Sequence, residues 1–248
     1  MVISSPAAHI KRGGACPPRV WDDNVSRPLH QYRFINILFI NTVTQDISMV
    51  AKPTGFYQRL QLLPLPAQQA FMAALCERLL PNYALYEQTT GHGDGHTLRT
   101  VLSLVWERLS VPNASIDFAR QAEKLAECEP PANDDSFGAR RALDAVVSIS
   151  ALLDTLQGES PEAVLDVSRT SRAGVRAFIE LTEGEVDAQA LALIIRDHPL
   201  MADENDFQDA VLEAVSEPLT KAALKEIRLL GRNNGISNLG LSLEEGDE

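Results

Sequence analysis

Between Thr54 and Gly235 the apolar residues recur every three or four positions, the period of a helix with one buried face. The pattern is clearest over residues 95–109. There Leu98, Val101, Leu102, Val105 and Leu109 share a side, while Arg99, Thr100, Ser103, Glu107 and Arg108 fill much of the rest. Phe71, Leu75 and Leu79 mark a helix over 67–80. Pro81, which lacks a backbone donor, is expected to kink that helix or restart it for a further stretch over 82–90 that stops at Gly91. Residues 137–156 are apolar almost all round (Leu143, Val146, Val147, Ile149, Leu152, Leu153, Leu156), which predicts the central buried helix.

Start and stop signals divide the remainder. Thr54 is expected to cap a short helix through Leu62, and Ser115 or Asp117 one that runs to about Cys128. Asp134, Asp135 and Ser136 are candidate caps for the central helix, and Gly158 ends it. Ser160-Pro161-Glu162 reads as a helix start, with a capping serine, a first-turn proline and an acid at the positive dipole end. In the helix that follows, Ser168, Ser171 and Gly174 are small enough for a neighbour to approach closely. Residues 186–197, 203–215 and 217–230 read as three more helices. Gly231, Asn233, Asn234 and Gly235 form a turn signal, and an apolar tail follows over 236–243. No alternating run of useful length and no internal repeat occurs. The predicted fold is all-α: a single compact domain of about eight helices over 54–243, without significant sheet.

The first 48 residues break the pattern. They carry five basic and three acidic residues, a net charge of +2 in a chain of net −12, so the remainder carries −14. Gly13, Gly14, Pro17 and Pro18 punctuate them. Two readings stand: a disordered N-terminal extension, or a segment that is not translated because the true start is Met49. Gln45-Asp46 can be encoded CAG-GAT, which holds a ribosome-binding AGGA just before the Met49 codon. The acidic end, residues 244–248, is expected to be disordered.

Charge and cysteines narrow the function classes. A net charge of −12 with no basic run argues against nucleic acid as a main partner. Three cysteines (Cys16, Cys76, Cys128) without CxxC spacing fit a reducing cytoplasm better than a disulfide framework. The longest apolar run, 34–40, is too short for a membrane span.

The loop Gly91-His92-Gly93-Asp94-Gly95-His96 holds the most suggestive residues. It follows a helix rather than a strand and lacks a following Lys-Ser or Lys-Thr, so it fits neither a dinucleotide fingerprint nor a Walker loop. Asp94 at a helix start already places a carboxylate where a phosphate would sit, which favours a capped tight turn. His92, Asp94 and His96 match no standard metal spacing, so no metal and no cofactor is expected. Asp144 lies within the most apolar helix and needs a partner, for which Arg140 and Arg141 are near. It reads either as an interhelical ion pair or as an acid of raised pKa in a pocket. Cys76 reads as a core residue, and Ser168, Thr170 and Ser171 with Arg169 and Arg172 as a polar cluster open to either packing or binding. His198, beside Pro199 at a helix end, is set aside. Ligand-binding candidates are therefore Asp94, Glu77 and Asp144, with no catalytic residue identified.

Several segments resemble the YjaG-like family of bacterial proteins, a domain of unknown function. They are Phe71-Met72-Ala73, Leu75-Cys76-Glu77-Arg78, Pro81-Asn82-Tyr83-Ala84, Thr90-Gly91, Gly93-Asp94-Gly95 and Trp106-Glu107. Asp144, Val167-Ser168-Arg169-Thr170-Ser171 and Ser237-Asn238-Leu239-Gly240 are also similar. The resemblance covers roughly 56–243 and implies an all-helical fold, with no activity, cofactor or catalytic residue to carry across. The family loop has an aromatic residue where His92 stands and does not include His96, leaving Gly93-Asp94-Gly95 as the shared element. The expected function is an interaction or regulatory role without catalysis, through a protein partner. The alternative is a small-molecule binder or an enzyme using carboxylates near the 91–95 turn.

Overall fold

The computed structural model describes residues 55–160 and 162–242. The expectations for the first 48 residues, the Thr54 cap, Pro161 and the acidic end fall outside them. Among the described residues there are nine α-helices and no strand: α1 (Phe56–Gln61), α2 (Leu65–Thr90), α3 (Gly95–Ser110), α4 (Phe118–Ala126), α5 (Phe137–Leu156), α6 (Ala163–Glu183), α7 (Ala188–Asp197), α8 (Pro199–Ser216) and α9 (Lys221–Arg232). A single 3-10 turn, Asn233–Gly235, follows. The all-α expectation holds.

The central helix is α2 rather than α5. Sixteen of its 26 residues are buried, including every residue from Gln69 to Leu79. It packs against α3, α5, α6, α8 and α9. Helix α5 supplies Val146, Ile149, Leu152 and Leu153 to the core, but its Leu143 and Val147 are exposed. Its all-round apolarity therefore overstates its burial. Pro81 neither stops nor restarts α2, which runs unbroken to Thr90. Proline costs the bond to the carbonyl of Glu77, and both residues line an open cleft.

Small residues set the closest helix contact. A Cβ on Gly231 would lie 2.6 Å from the Ala74 carbonyl oxygen, so α9 can rest its backbone on α2 only with glycine there. Leu224 and Ile227 complete the buried face of α9.

Caps follow sequence where side chains are short and polar. Asp94, Asp117, Ser136, Asp187 and Thr220 accept hydrogen bonds from first-turn amides of α3, α4, α5, α7 and α9. Helix α6 departs from this rule. Ser160 adopts φ +52° and makes no cap, and the helix begins at Ala163 after Glu162. His198 caps α8, its Nδ1 accepting from the Leu200 amide at 3.1 Å. The tail after α9 turns inward: Ser237, Asn238 and Leu239 are buried, and Leu239 joins Val175 and Ile179 of α6 in a small second apolar cluster.

Candidate functional site

The turn after α2 is built around Tyr83. Its hydroxyl donates to the Cys128 carbonyl at 2.8 Å and accepts from the Asp94 amide at 3.0 Å, tying the loop to the end of α4. Burial pushes this phenol up to about 12. Gly93 has φ +126°, and a Cβ there would sit 2.7 Å from that hydroxyl. Glu87 Oε2 accepts from the Gly95 amide at 3.2 Å, so a side chain at 95 would collide with it. Both glycines are thus required by close approach, not by a ligand. Asp94 closes the motif, accepting from the Thr97 amide at 3.0 Å and the Thr97 hydroxyl at 2.7 Å. Those bonds hold its carboxyl below the usual range. His92 and His96 are exposed, and no metal-binding group of three or more His, Cys, Asp or Glu forms among the described residues.

Glu77 is enclosed between α2 and α9. Its Oε1 accepts from Arg228 Nε at 2.7 Å and its Oε2 from Arg232 Nε at 3.3 Å. It lines an open cleft of about 690 Å3, together with Arg99, Arg232 and Asn234. Asp144 lies where α5 meets α6, its Oδ2 3.0 Å from Arg141 Nε. Arg141 donates in turn to the Gly174 carbonyl at 3.3 Å. Burial outweighs the neighbouring guanidinium and pushes the Asp144 carboxyl up to about 6. Asp94, Glu77 and Asp144 each make separate contacts, and no hydrogen bond or ion pair joins any two of them. Cys76 is fully buried and its thiol is pushed far up by that burial, so it is an inert core residue.

The densest polar constellation escaped the sequence reading as a set. Arg78 of α2, 3% exposed, pairs with Asp203, stacks 4.4 Å over Phe207 and lies 3.9 Å from Glu204, all on α8. Glu204 is fully buried. Its Oε1 accepts from the Ser171 hydroxyl at 2.6 Å and from Gln208 Nε2. Burial raises its carboxyl pKa despite these donors and Arg78. Gln208 also receives the Ser168 hydroxyl at 2.6 Å. Asn238 of the tail donates to the Ser171 carbonyl at 3.1 Å and accepts from Asn82 Nδ2 at 2.8 Å. This seam joins α2, α6, α8 and the tail. The small residues Ser168 and Ser171 hinted at it, but their partners lie 33–40 positions away. Arg172 ties α1 to α6 and α8: it donates to Tyr57, Ser168 and Asn205, with its guanidinium 4.4 Å over Phe56.

No helix among the described residues is long and apolar enough to cross a membrane. The chain matches the model of the family described as "Protein of unknown function (DUF416)" over residues 55–242. It is 36% identical to the uncharacterized protein YjaG of Escherichia coli (strain K12) over 191 residues, covering 75% of this chain and 96% of YjaG. An uncharacterized protein of Haemophilus influenzae is 32% identical over 198 residues, covering 76% of this chain and 97% of its own length. The crystal structure of a DUF416 family protein from Shewanella baltica OS155 superposes with a TM-score of 0.71 at 34% identity, covering 77% of this chain and 100% of that one. Both the extent of the family match and these identities place the resemblance on firm ground: the chain belongs to the DUF416 family, which includes the YjaG proteins.

Proposed function

We propose that the protein is a non-catalytic interaction protein of the bacterial cytoplasm, docking a partner protein on α7 and the end of α6. One observation carries this: α7 buries no residue at all. It leans on α6 and α8 through Ile194 and Ile195, which pack on Val175, Ile179 and Leu239. Leu193 stays 50% exposed and Leu181 of α6 is 61% exposed, with Val186 between them in sequence also exposed. A ten-residue helix is marginal without tertiary burial, and a partner that covers these side chains supplies it.

The surroundings specify the partner's charge. Glu183, Glu185 and Asp187 are exposed around this corner, while Arg196 and Asp197 are paired with each other at 2.8 Å. Two copies would bring like charges together, so the fitting partner is a different protein with an apolar patch and a basic rim. The carboxylate alternative has less support, because Asp94, Glu77 and Asp144 are each engaged by a neighbour within the fold. Cys76 and Cys128, both buried free thiols, are consistent with a reducing compartment.

Affinity capture with the full chain, run beside a Leu181→Asp/Leu193→Asp double variant, tests the reading. The native chain is expected to retain a partner that the variant loses at unchanged helicity. Retention of the same partner by both proteins sinks the assignment, as does a self-associated state in which α7 is covered by a second copy.

A further inference from the structure

A second surface, on different residues, runs between α3 and α9. Lys221, Lys225, Arg228 and Arg232 stand at i, i+4, i+7 and i+11 on α9, which places them along one side of the helix. Eleven residues of helix rise about 16 Å. Two open clefts border this stripe. The larger, about 690 Å3, adds Arg99 of α3 to Arg232 over an apolar floor of Leu80, Pro81, Ala84 and Ile236. The smaller, about 290 Å3, sets Lys221, Lys225 and Arg228 beside Trp106 and Leu224. Between them Arg228 bridges Glu77 and Ser103, at 2.7 and 2.9 Å.

The charge balance here runs against the rest of the molecule. Two acids line the clefts: Glu77, neutralised by two arginines, and Glu107. Against them stand five basic residues, in a chain of net −12. Trp106 is 4% exposed, and its buried indole N–H has no acceptor among the described residues.

We infer that the α3–α9 groove is a docking site for an acidic peptide segment of a partner protein. A single small anion engages one end of a 16 Å stripe, whereas about five residues of extended peptide span it. The two apolar floors suit a segment in which an apolar side chain stands among the acids. Glu77 and Glu107 within the groove, and the acidity of the whole chain, disfavour a phosphate backbone with its dense and regular charge. The inference does not depend on the α6–α7 corner, and the failure of either leaves the other standing.

Fluorescein-labelled hexaglutamate, titrated with the full chain and followed by anisotropy, tests it. Saturable binding is expected, weakening as salt rises. Lys221→Glu with Lys225→Glu should reduce affinity about tenfold or more. These lysines are exposed, so folding is kept. The control pair Arg120→Glu and Arg140→Glu, exposed residues outside the groove, should leave affinity unchanged. Absence of saturable binding overturns the inference, as does equal weakening by the control pair. A ten-nucleotide oligo-dT that binds more tightly and displaces the peptide would reassign the groove to nucleic acid. An affinity that rises when Glu244, Glu245, Asp247 and Glu248 are replaced by their amides would give the groove to the chain's own end and overturn the partner assignment.

Discussion

Helix α2 turns charged side chains inward, whereas α7 leaves apolar ones outside. Glu77 and Arg78 sit near the end of the longest buried run among the described residues, at 5% and 3% exposure. Leu193 sits on a helix with nothing fully buried. Each reverses the rule that sorts residues by polarity, and the two reversals have different causes. In α2 the charges are bought off by partners on other helices: Arg228 and Arg232 for Glu77, Asp203 and Glu204 for Arg78. They fix how α8 and α9 seat on the core. In α7 Ile194 and Ile195 pack inward on the small second cluster, but Leu193 stays half-exposed. An inverted position matched by an internal partner is architecture, while one left unmatched points outward to function.

The sharpest way to break the first half of this comparison is to remove Arg78. Arg78→Ala leaves Glu204 buried with one guanidinium fewer, and a loss of about 3–5 kcal/mol is expected from breaking such a pair. Urea denaturation measures it. Adding Glu204→Gln removes the stranded charge but keeps an acceptor for Ser171, so the double variant should be more stable than Arg78→Ala alone. A loss under about 1 kcal/mol would mean that Arg78 behaves as a surface charge and that the seam does not organise the helices.

Such pairings explain what could be read in the sequence and what could not. Capping depends on neighbours within three residues, and Asp94, Asp117 and Ser136 were legible for that reason. The Gly93-Asp94-Gly95 turn was likewise legible as a capped turn, although Tyr83 as its anchor was not. Burial of α2 depends on partners far along the chain: Asp203 is 125 positions from Arg78, and Arg228 is 151 from Glu77. The local helical period does not reveal that Glu77 and Arg78 are buried, and it passes centrality to α5, whose sequence is more uniformly apolar. Asp144 was recognised as a carboxylate needing a partner, and Arg141 is that partner.

Asp144 gives the next largest effect. Its folded carboxyl titrates at about 6, against an ordinary 3.8. Between those values the folded chain holds a proton that the unfolded chain has released. Stability from this group is therefore full below about pH 4 and is lost as pH rises through about 6, by roughly 1–3 kcal/mol. Asp144→Asn should flatten that part of the stability profile, and carbon-detected NMR titration of the carboxyl should place its midpoint near 6. A midpoint near the ordinary value would show that Arg141 outweighs burial, making this an ion pair of the kind seen for Glu77.

Asp94→Ala should cost about 1 kcal/mol, the usual worth of an N-cap. Asp94→Asn retains an acceptor for the Thr97 amide and should recover most of it. If the asparagine variant is instead as unstable as the alanine one, the negative charge at the α3 start matters more than the hydrogen bond.

The smallest expected effect is the most informative about α7. Leu193→Asp replaces a half-exposed leucine, so stability should change by no more than about 0.5 kcal/mol. Hydrogen exchange of the isolated protein should show α7 amides among the less protected helical ones, since few buried contacts hold the helix in place. Adding the partner should slow α7 exchange in the native chain and leave the variant's unchanged. A loss of 2 kcal/mol or more from Leu193→Asp would place that leucine in a covered interface of the chain itself. Its exposure would then no longer contrast with the buried charges of α2, and α7 would become one more element whose inversion is settled internally.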